Sequence, residues 1–300
     1  MSIHARAYRP RNDFDAAHAF LTGLYQPLNS DGNWFAPIFE YAVTHPFFDD
    51  GHTDRFRLWF DGDAVVAFVC YELYLGEAFF AVAPGHEGLF GPMLDHAEVH
   101  LAKTEPDGRR VLNVFVNDRQ PTWLATVSER GYERCPHEDR PMSVYDIARP
   151  FPSIVLPDGY RLLTLADDNN LRELNRVLHR GFGHGDEPDP ATIAERERMQ
   201  TGPHYRRDLQ VAVGAPDGHW VAFCGMWYDE VNRFGYVEPV CTDPDYRRRG
   251  LGRAAVLEGI RRCGELGAEV AYVGTTLPFY LSFGFRPLHR QECWQRSWPR

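Results

Sequence analysis

The sequence predicts a mixed α/β protein built as two tandem domains, and three observations carry that expectation. A chain of 300 residues is twice the ~150 residues of a common domain. The order of elements in its first half recurs in its second. Between the halves, residues 148–159 (ARPFPSIVLPDG) hold three prolines that break regular structure. The expected division is a first domain at 1–148, a linker at 149–158 and a second domain at 159–300.

Taken in order, residues 2–9 and 159–165 read as edge strands, each followed by an Asp/Asn-rich cap. Apolar residues at helical spacing predict helices at 14–25 and 170–182. A shorter helix follows in each half. Hairpins come next, 56–60 with 64–71 and 209–213 with 220–228. Each half then has a strand ending in a proline turn, AVAPG at 81–85 and CTDPD at 241–245. A helix, a short apolar strand (111–116 or 270–274), another helix and a Gly-aromatic pair (Gly131-Tyr132, Gly284-Phe285) complete the repeat.

Composition narrows the function. A formal charge of −10 disfavours a nucleic-acid binder, which neutralises phosphates with many cations. The longest apolar run, 64–70, is far short of the ~20 residues of a membrane helix, and the first residues (MSIHARAYRPRND) contain no apolar signal segment. Six cysteines lack CxxC or any zinc-like spacing, so free thiols in a reducing cytoplasm and no metal are expected. Lys103 is the sole lysine, which fits a GC-rich bacterial coding bias. His96 and His100 lie four apart, but HAEVH is not the HExxH of a metal site.

The segment from Val237 to Ala255, VEPVCTDPDYRRRGLGRAA, carries the chemistry. A strand ends at Thr242, Pro244 forces a turn, and Gly250 and Gly252 stand where a helix begins. Gly252, Val256, Ile260 and Cys263 mark one face of that helix. Backbone N–H groups of a first helical turn have no internal partner, glycines let an anion approach them, and the helix dipole favours its charge. Arg247, Arg248, Arg249 and Arg253 surround this cradle. Neither GxxxxGK[ST] nor GxGxxG is present, which excludes the two commonest nucleotide loops. Pro239 cannot donate a ladder hydrogen bond, so a bulge or an edge is expected there.

These residues resemble the GNAT superfamily of acyl-coenzyme A dependent N-acetyltransferases. Arg247-Arg-Arg-Gly250-Leu-Gly252 is similar to the family's [QR]xxGx[GA] signature, and Tyr280, four residues before Gly284-Phe285, is similar to its later one. The chain departs from the pattern at Thr275-Thr-Leu-Pro278, where an Asn is usual. The resemblance is strong over 160–290 and extends to the first half in layout only. It implies, for each domain, a mostly antiparallel sheet with a central parallel strand pair flanked by helices. It also implies acetyl-CoA as co-substrate, backbone pairing of Val240 and Thr242 with the pantetheine arm, and pyrophosphate contacts from Arg247 through Leu251 to Arg253.

Amide formation from a thioester needs a base for the amine, a donor to the carbonyl oxygen and a proton for the leaving thiolate. Glu238 is the candidate base. In a regular strand it shares Val240's face, and a bulge at Pro239 reverses this. Tyr280 stands where the family's proton-donating tyrosine stands, and an N–H at Val240 or Cys241 is the candidate carbonyl donor. A loop with Asp186, Glu187 and Asp189 suggests an acidic rim for a cationic small-molecule amine. His179 and His184 are candidate proton relays.

In the first half Glu87 falls at the place of Arg247, Phe90 at Gly250, Pro92 at Gly252 and Val127 at the tyrosine. That half is expected to be degenerate and non-catalytic, with Trp34, Phe35 and Tyr41 candidate pocket residues. The functional expectation is direct acetyl transfer to a small amine in the second domain, in a monomer or homodimer. The alternatives are a mycothiol synthase-like acetyltransferase and a non-catalytic coenzyme A-binding module.

Overall fold

The computed structural model describes residues 3–30, 32–148 and 150–299. Ser2 of the first expected strand and Arg149 of the expected linker lie outside them. In chain order the elements are β1 (Ile3–Ala7), α1 (Pro10–Leu24), α2 (Ala36–Thr44), β2 (Arg57–Asp61), β3 (Ala64–Cys70), β4 (Glu77–Val82), α3 (Phe90–His100), β5 (Lys103–Thr104), β6 (Arg110–Asn117), α4 (Pro121–Glu129), β7 (Glu133–Arg134) and β8 (Arg140–Asp146). The second series is β9 (Arg161–Thr164), α5 (Leu171–Gly181), α6 (Ile193–Met199), β10 (Val211–Gly214), β11 (Trp220–Asp229), β12 (Phe234–Thr242), α7 (Leu251–Glu265), β13 (Val270–Val273), α8 (Pro278–Leu281) and β14 (Arg286–Trp298). No helix among the described residues is long and apolar enough to cross a membrane.

Helix α1 starts at Pro10, four residues before the expected helix at 14. Proline suits a first helical position because its missing N–H would lack a partner there anyway. The buried Asp13 accepts the Arg9 N–H at 2.7 Å and closes the turn. Helix α5 starts where expected, and the Asn170 side chain caps it by accepting the Glu173 N–H.

The chain forms two compact units. The first comprises 1–43, 47–142 and 288–300, the second 44–46 and 143–287. This division differs from the one at 149–158, because each unit takes its closing strand from the far end of the other half. In the first unit β1, β2, β3 and β4 run antiparallel, β4 joins β6 in parallel, and β14 closes the sheet antiparallel to β6 from Gln291↔Asn117 to Trp298↔Arg110. In the second, β9, β10, β11 and β12 run antiparallel, β12 joins β13 in parallel, and residues 143–146 of β8 close the sheet from Val273↔Ser143 to Val270↔Asp146. Both sheets are therefore mixed, with one central parallel pair, as the resemblance implies.

Each closing strand is pinned by buried polar groups as well as by its ladder. In the first unit His289 of β14 lies 3.0 Å from the Asn117 amide and 3.1 Å from that of Asn29. In the second, Ser143 donates to the Thr275 carbonyl at 2.7 Å. The second unit's core packs α7 residues Val256, Ile260 and Cys263 against Met226, Val237 and Ala271 of the sheet. Apolar burial of this kind contributes about 25 cal/mol per Å².

Cutting between the halves removes a closing strand from each. Fragments 1–148 and 159–300 expressed separately are expected to be insoluble or to lack a cooperative unfolding transition. Co-expression should recover a soluble, co-purifying pair, as checked by circular dichroism and size-exclusion chromatography.

Candidate functional site

The site is built where β12 leaves β13. The parallel ladder runs from Phe234↔Val270 to Val237↔Val273 and stops, whereas the ladder with β11 continues to Thr242. Between Val237 and Val240 two residues, Glu238 and Pro239, oppose the single Gly225 of β11, which is a β-bulge. A Cβ on Gly225 would come within 2.5 Å of the Glu238 carbonyl oxygen and 2.8 Å of Pro239, so only glycine fits opposite the bulge. Trp227 Nε1 donates to the same carbonyl at 3.1 Å, and the Glu238–Pro239 peptide is cis.

The bulge reverses the facing of the strand. Before it, Gly235 and Val237 face α7. After it Val240 packs into the α7 cluster, and Thr242 Oγ1 lies 2.7 Å from where a Cβ of Gly252 would stand. Both sets face one helix across an odd spacing, so Glu238 does not share Val240's face by simple alternation. The Asp243 N–H donates to the Val221 carbonyl of β11 at 2.9 Å. By period-two alternation the Cys241 N–H also faces β11, and those of Val240 and Thr242 face the side from which β13 has departed.

Helix α7 begins at this open edge. Gly250 caps it at φ 80°, with open space where a side chain would project. The first intrahelical bond is Ala254 N–H to the Gly250 carbonyl, which leaves the N–H groups of Leu251, Gly252 and Arg253 without backbone acceptors. Gly252 lets the helix approach Thr242, since a Cβ there would overlap the threonine hydroxyl. Arg247 donates to the carbonyls of Thr242 and Gly181, Arg249 to the Tyr160 hydroxyl, and Arg253 lies 5.8 Å from the Phe283 ring centroid. Arg248 is exposed at φ 61°. None of the four pairs with a carboxylate among the described residues, so the rim of the cradle keeps its positive charge.

The turn before the cradle is anchored by Asp243, which is wholly buried. It accepts Arg180 Nε at 2.8 Å and the Asp245 N–H at 3.1 Å, with Arg176 at 3.5 Å. Burial opposes its charge, but these hydrogen bonds and cations outweigh it and hold the carboxyl below its ordinary range.

An aromatic cluster lies beside the start of α7. Tyr280 on α8 is 7% exposed and packs among Phe279, Phe283 and Phe285. Its phenol has no hydrogen-bond partner among the described residues. Burial pushes that phenol up, and Cys224, Glu238 and Cys241 add to the shift. Cys241 is buried, donates to the Val177 carbonyl at 3.3 Å, and is pushed up to about 12 by burial. Its thiol is no nucleophile at neutral pH.

Residues 170–285 match the family model described as the acetyltransferase (GNAT) family. The second unit is a GNAT domain. Among solved structures the whole chain is similar in fold to the GCN5-related N-acetyltransferase from Sphaerobacter thermophilus, with a TM-score of 0.65 and 17% identity over 98% of this chain and 95% of that one. A tandem GNAT protein from the clavulanic acid biosynthesis pathway gives 0.65 and 13% over the full length of both chains. Saccharomyces cerevisiae N-myristoyltransferase, solved with bound myristoyl-CoA and inhibitors, gives 0.57 and 13% over 100% of this chain and 81% of that one. No curated protein sequence matches the chain. These likenesses establish a tandem GNAT fold, with the family model confined to its second unit.

Within that GNAT domain the sequence-expected residues divide in two. Val240, Thr242, Arg247, Arg248, Arg249, Gly250, Leu251, Gly252 and Arg253 lie along the end of β12 and the start of α7, Tyr280 sits in the aromatic cluster beside Gly252 and Arg253, and Glu238 lies at the bulge. Cys241 is turned away, its N–H toward β11 and its thiol into the α5 core, so of the two only Val240 directs its N–H to the side β13 has left. In the acidic loop Asp186 pairs with Arg180 at 2.5 Å and Asp189 caps the turn at Ala191, while Glu187 is exposed. His179 and His184 lie 5.8 Å apart, centroid to centroid. Sequence reasoning missed Arg180 and Asp243, although Asp243 lies in the quoted motif and Asn/Asp before proline is a common turn signal.

Replacing Arg180 by methionine should cost about 3 kcal/mol of stability, because it strips a buried carboxylate of its nearest cation. Asp243, with a lowered native value, stabilises fully above about pH 4 and loses that contribution as pH falls through the native value. The stability gap between wild type and Asp243→Asn in urea unfolding should therefore be largest near neutrality and shrink in acid. At pH 8 native Cys241 should resist iodoacetamide and become labelled only in the unfolded chain, as read by peptide mass spectrometry.

Proposed function

We propose that the second unit binds acetyl-CoA and transfers its acetyl group directly to the primary amine of a small molecule. The parting of β12 from β13 carries this reading, because it leaves strand N–H groups open beside a glycine-started, arginine-rimmed helix. A pyrophosphate suits that helix start, where three N–H groups without helical acceptors meet the positive end of the dipole. The glycines fit the group: a side chain at Gly250 would project into the open space of the cradle, and one at Gly252 would overlap Thr242.

Acetyl-CoA supplies an activated acyl carbon and a thiolate leaving group. The residues of the chain do the rest. Val240 and Thr242 offer backbone pairing to the pantetheine arm, and the Val240 N–H polarises the carbonyl. An amine near pKa ~10 is mostly protonated at neutral pH, so it must lose a proton to react. Glu238 beside the bulge takes that proton, directly or through water. Tyr280, kept protonated by burial, donates to the departing sulfur and recovers a proton from solvent. The exposed Glu187 and its neighbours favour a cationic acceptor. The inert Cys241 argues for direct transfer rather than an acyl-cysteine.

Calorimetry on the intact chain should give one acetyl-CoA site, abolished by Gly250→Glu and untouched by Phe90→Glu. Tyr280→Phe should lower kcat about 10²-fold with little change in KM for acetyl-CoA, and Glu238→Gln should lower it comparably at neutral pH. Because the Tyr280 phenol is shifted up, no alkaline loss of kcat from its ionisation is expected at pH 9. Binding without turnover on any amine would make the unit a coenzyme-binding module, and no binding by the folded chain would overturn the proposal.

A further inference from the structure

The first unit keeps the parting of its central strands although its phosphate cradle has gone. Strands β4 and β6 pair in parallel from Glu77↔Asn113 to Phe79↔Phe115 and then diverge. Past that point lies a cleft of about 390 Å³, within the size range of small-molecule sites. It is lined by the end of β4, the turn into α3 and the start of α4.

The lining excludes an anion. At the mouth stands Glu87, its carboxylate fixed by the Gly85 N–H at 2.9 Å, and it is the one charged residue among those that line the cleft. Phe90 stands at the helix start where the second unit has Gly250, and Pro92 removes an N–H from the first turn. Phe90 stacks on Trp123 at 4.2 Å and 5°, so one wall is a fixed indole. Val82 and Pro84 add apolar surface, and Gln120 and Thr122 add neutral polar groups.

One group has no structural use in the fold. Asn33 is 7% exposed and lines the cleft. Its backbone carbonyl accepts from Asn29, but its side-chain amide has no partner among the described residues. With no such partner and its atoms open to the cleft, the amide is free to meet a ligand.

We infer that this cleft binds a small molecule with an apolar body and a protonated amine, its ammonium group on Glu87 and its body against Trp123 within reach of the Asn33 amide. An indole face also attracts a cation. This site is separate from the proposed acetyl-transfer site and does not depend on it.

The test uses the intact, ¹⁵N-labelled chain and follows the Trp123 indole N–H resonance, assigned by its loss in Trp123→Phe. Three probes share a phenyl body: 2-phenylethylamine, 2-phenylethanol and 3-phenylpropionate. The amine should shift the resonance saturably at about millimolar concentration, the alcohol should bind about two- to fivefold more weakly, and the carboxylate should not bind. Glu87→Gln, at an exposed position, should abolish the preference for amine over alcohol, and Asn33→Leu should weaken both. The Gly250→Glu chain should behave as wild type, which separates this site from the coenzyme cradle. Absence of any shift with the amine, or equal shifts with amine and carboxylate, would overturn the inference.

Discussion

Everything in the second unit follows from one unmet demand of the backbone: beyond Val237, strand β12 has a ladder partner on one side only. A buried N–H without an acceptor is unfavourable, so an interior sheet seldom parts without something to enter the gap. Here the parting is enforced. Pro239 cannot donate, Gly225 admits the bulge beneath it, and Gly252 draws the start of α7 close beside Thr242. The unpaired N–H groups of the strand end and of the helix start then lie side by side, with the arginines around the helix start and the aromatic cluster of Tyr280 beside Gly252 and Arg253. Asp243 is the pin, because its buried carboxylate ties the turn between strand and helix to α5 through Arg180.

The two units show which part of this arrangement is fold and which is chemistry. Both part their central parallel strands after a short ladder, of four residue pairs in the second unit and three in the first. The first has no register shift between β3 and β4, and its cradle positions hold Phe90 and Pro92. Val127, at the place of the tyrosine, is completely buried. Trp34, Phe35 and Tyr41, expected as pocket residues, are buried too, and Trp34 stacks on Phe79 at 5.1 Å. The gap between strands is thus a property of the topology, while what fills it depends on a few side chains at its rim.

The legible parts of the protein were those written locally. The glycine-arginine cradle, the proline turn and the Tyr280 position lie in short contiguous segments, and the hairpins and main helices follow from periodicity. Proline at 239 foretold the bulge, but which face Val240 takes after it depends on the register with β11, which no local pattern reveals. The same holds for Arg180, whose partner lies 63 residues away. Strands β8 and β14 went unread, since each is defined by a distant partner. The even division at 149–158 failed to see the exchange for the same reason.

That exchange governs the order in which the chain can mature as it is made. Strand β6 is synthesised by residue 117, but its partner β14 ends at residue 298. At ~5–20 residues per second the wait is roughly 10 to 40 s. Through that interval the edge of β6 and the Asn117 amide that will meet His289 stand open on a nascent chain. The second unit, by contrast, already has its borrowed strand when its own first strand appears, and it can close as soon as β13 is made. The half that matches the family model is therefore completed first, and the half that precedes it in the gene is sealed last.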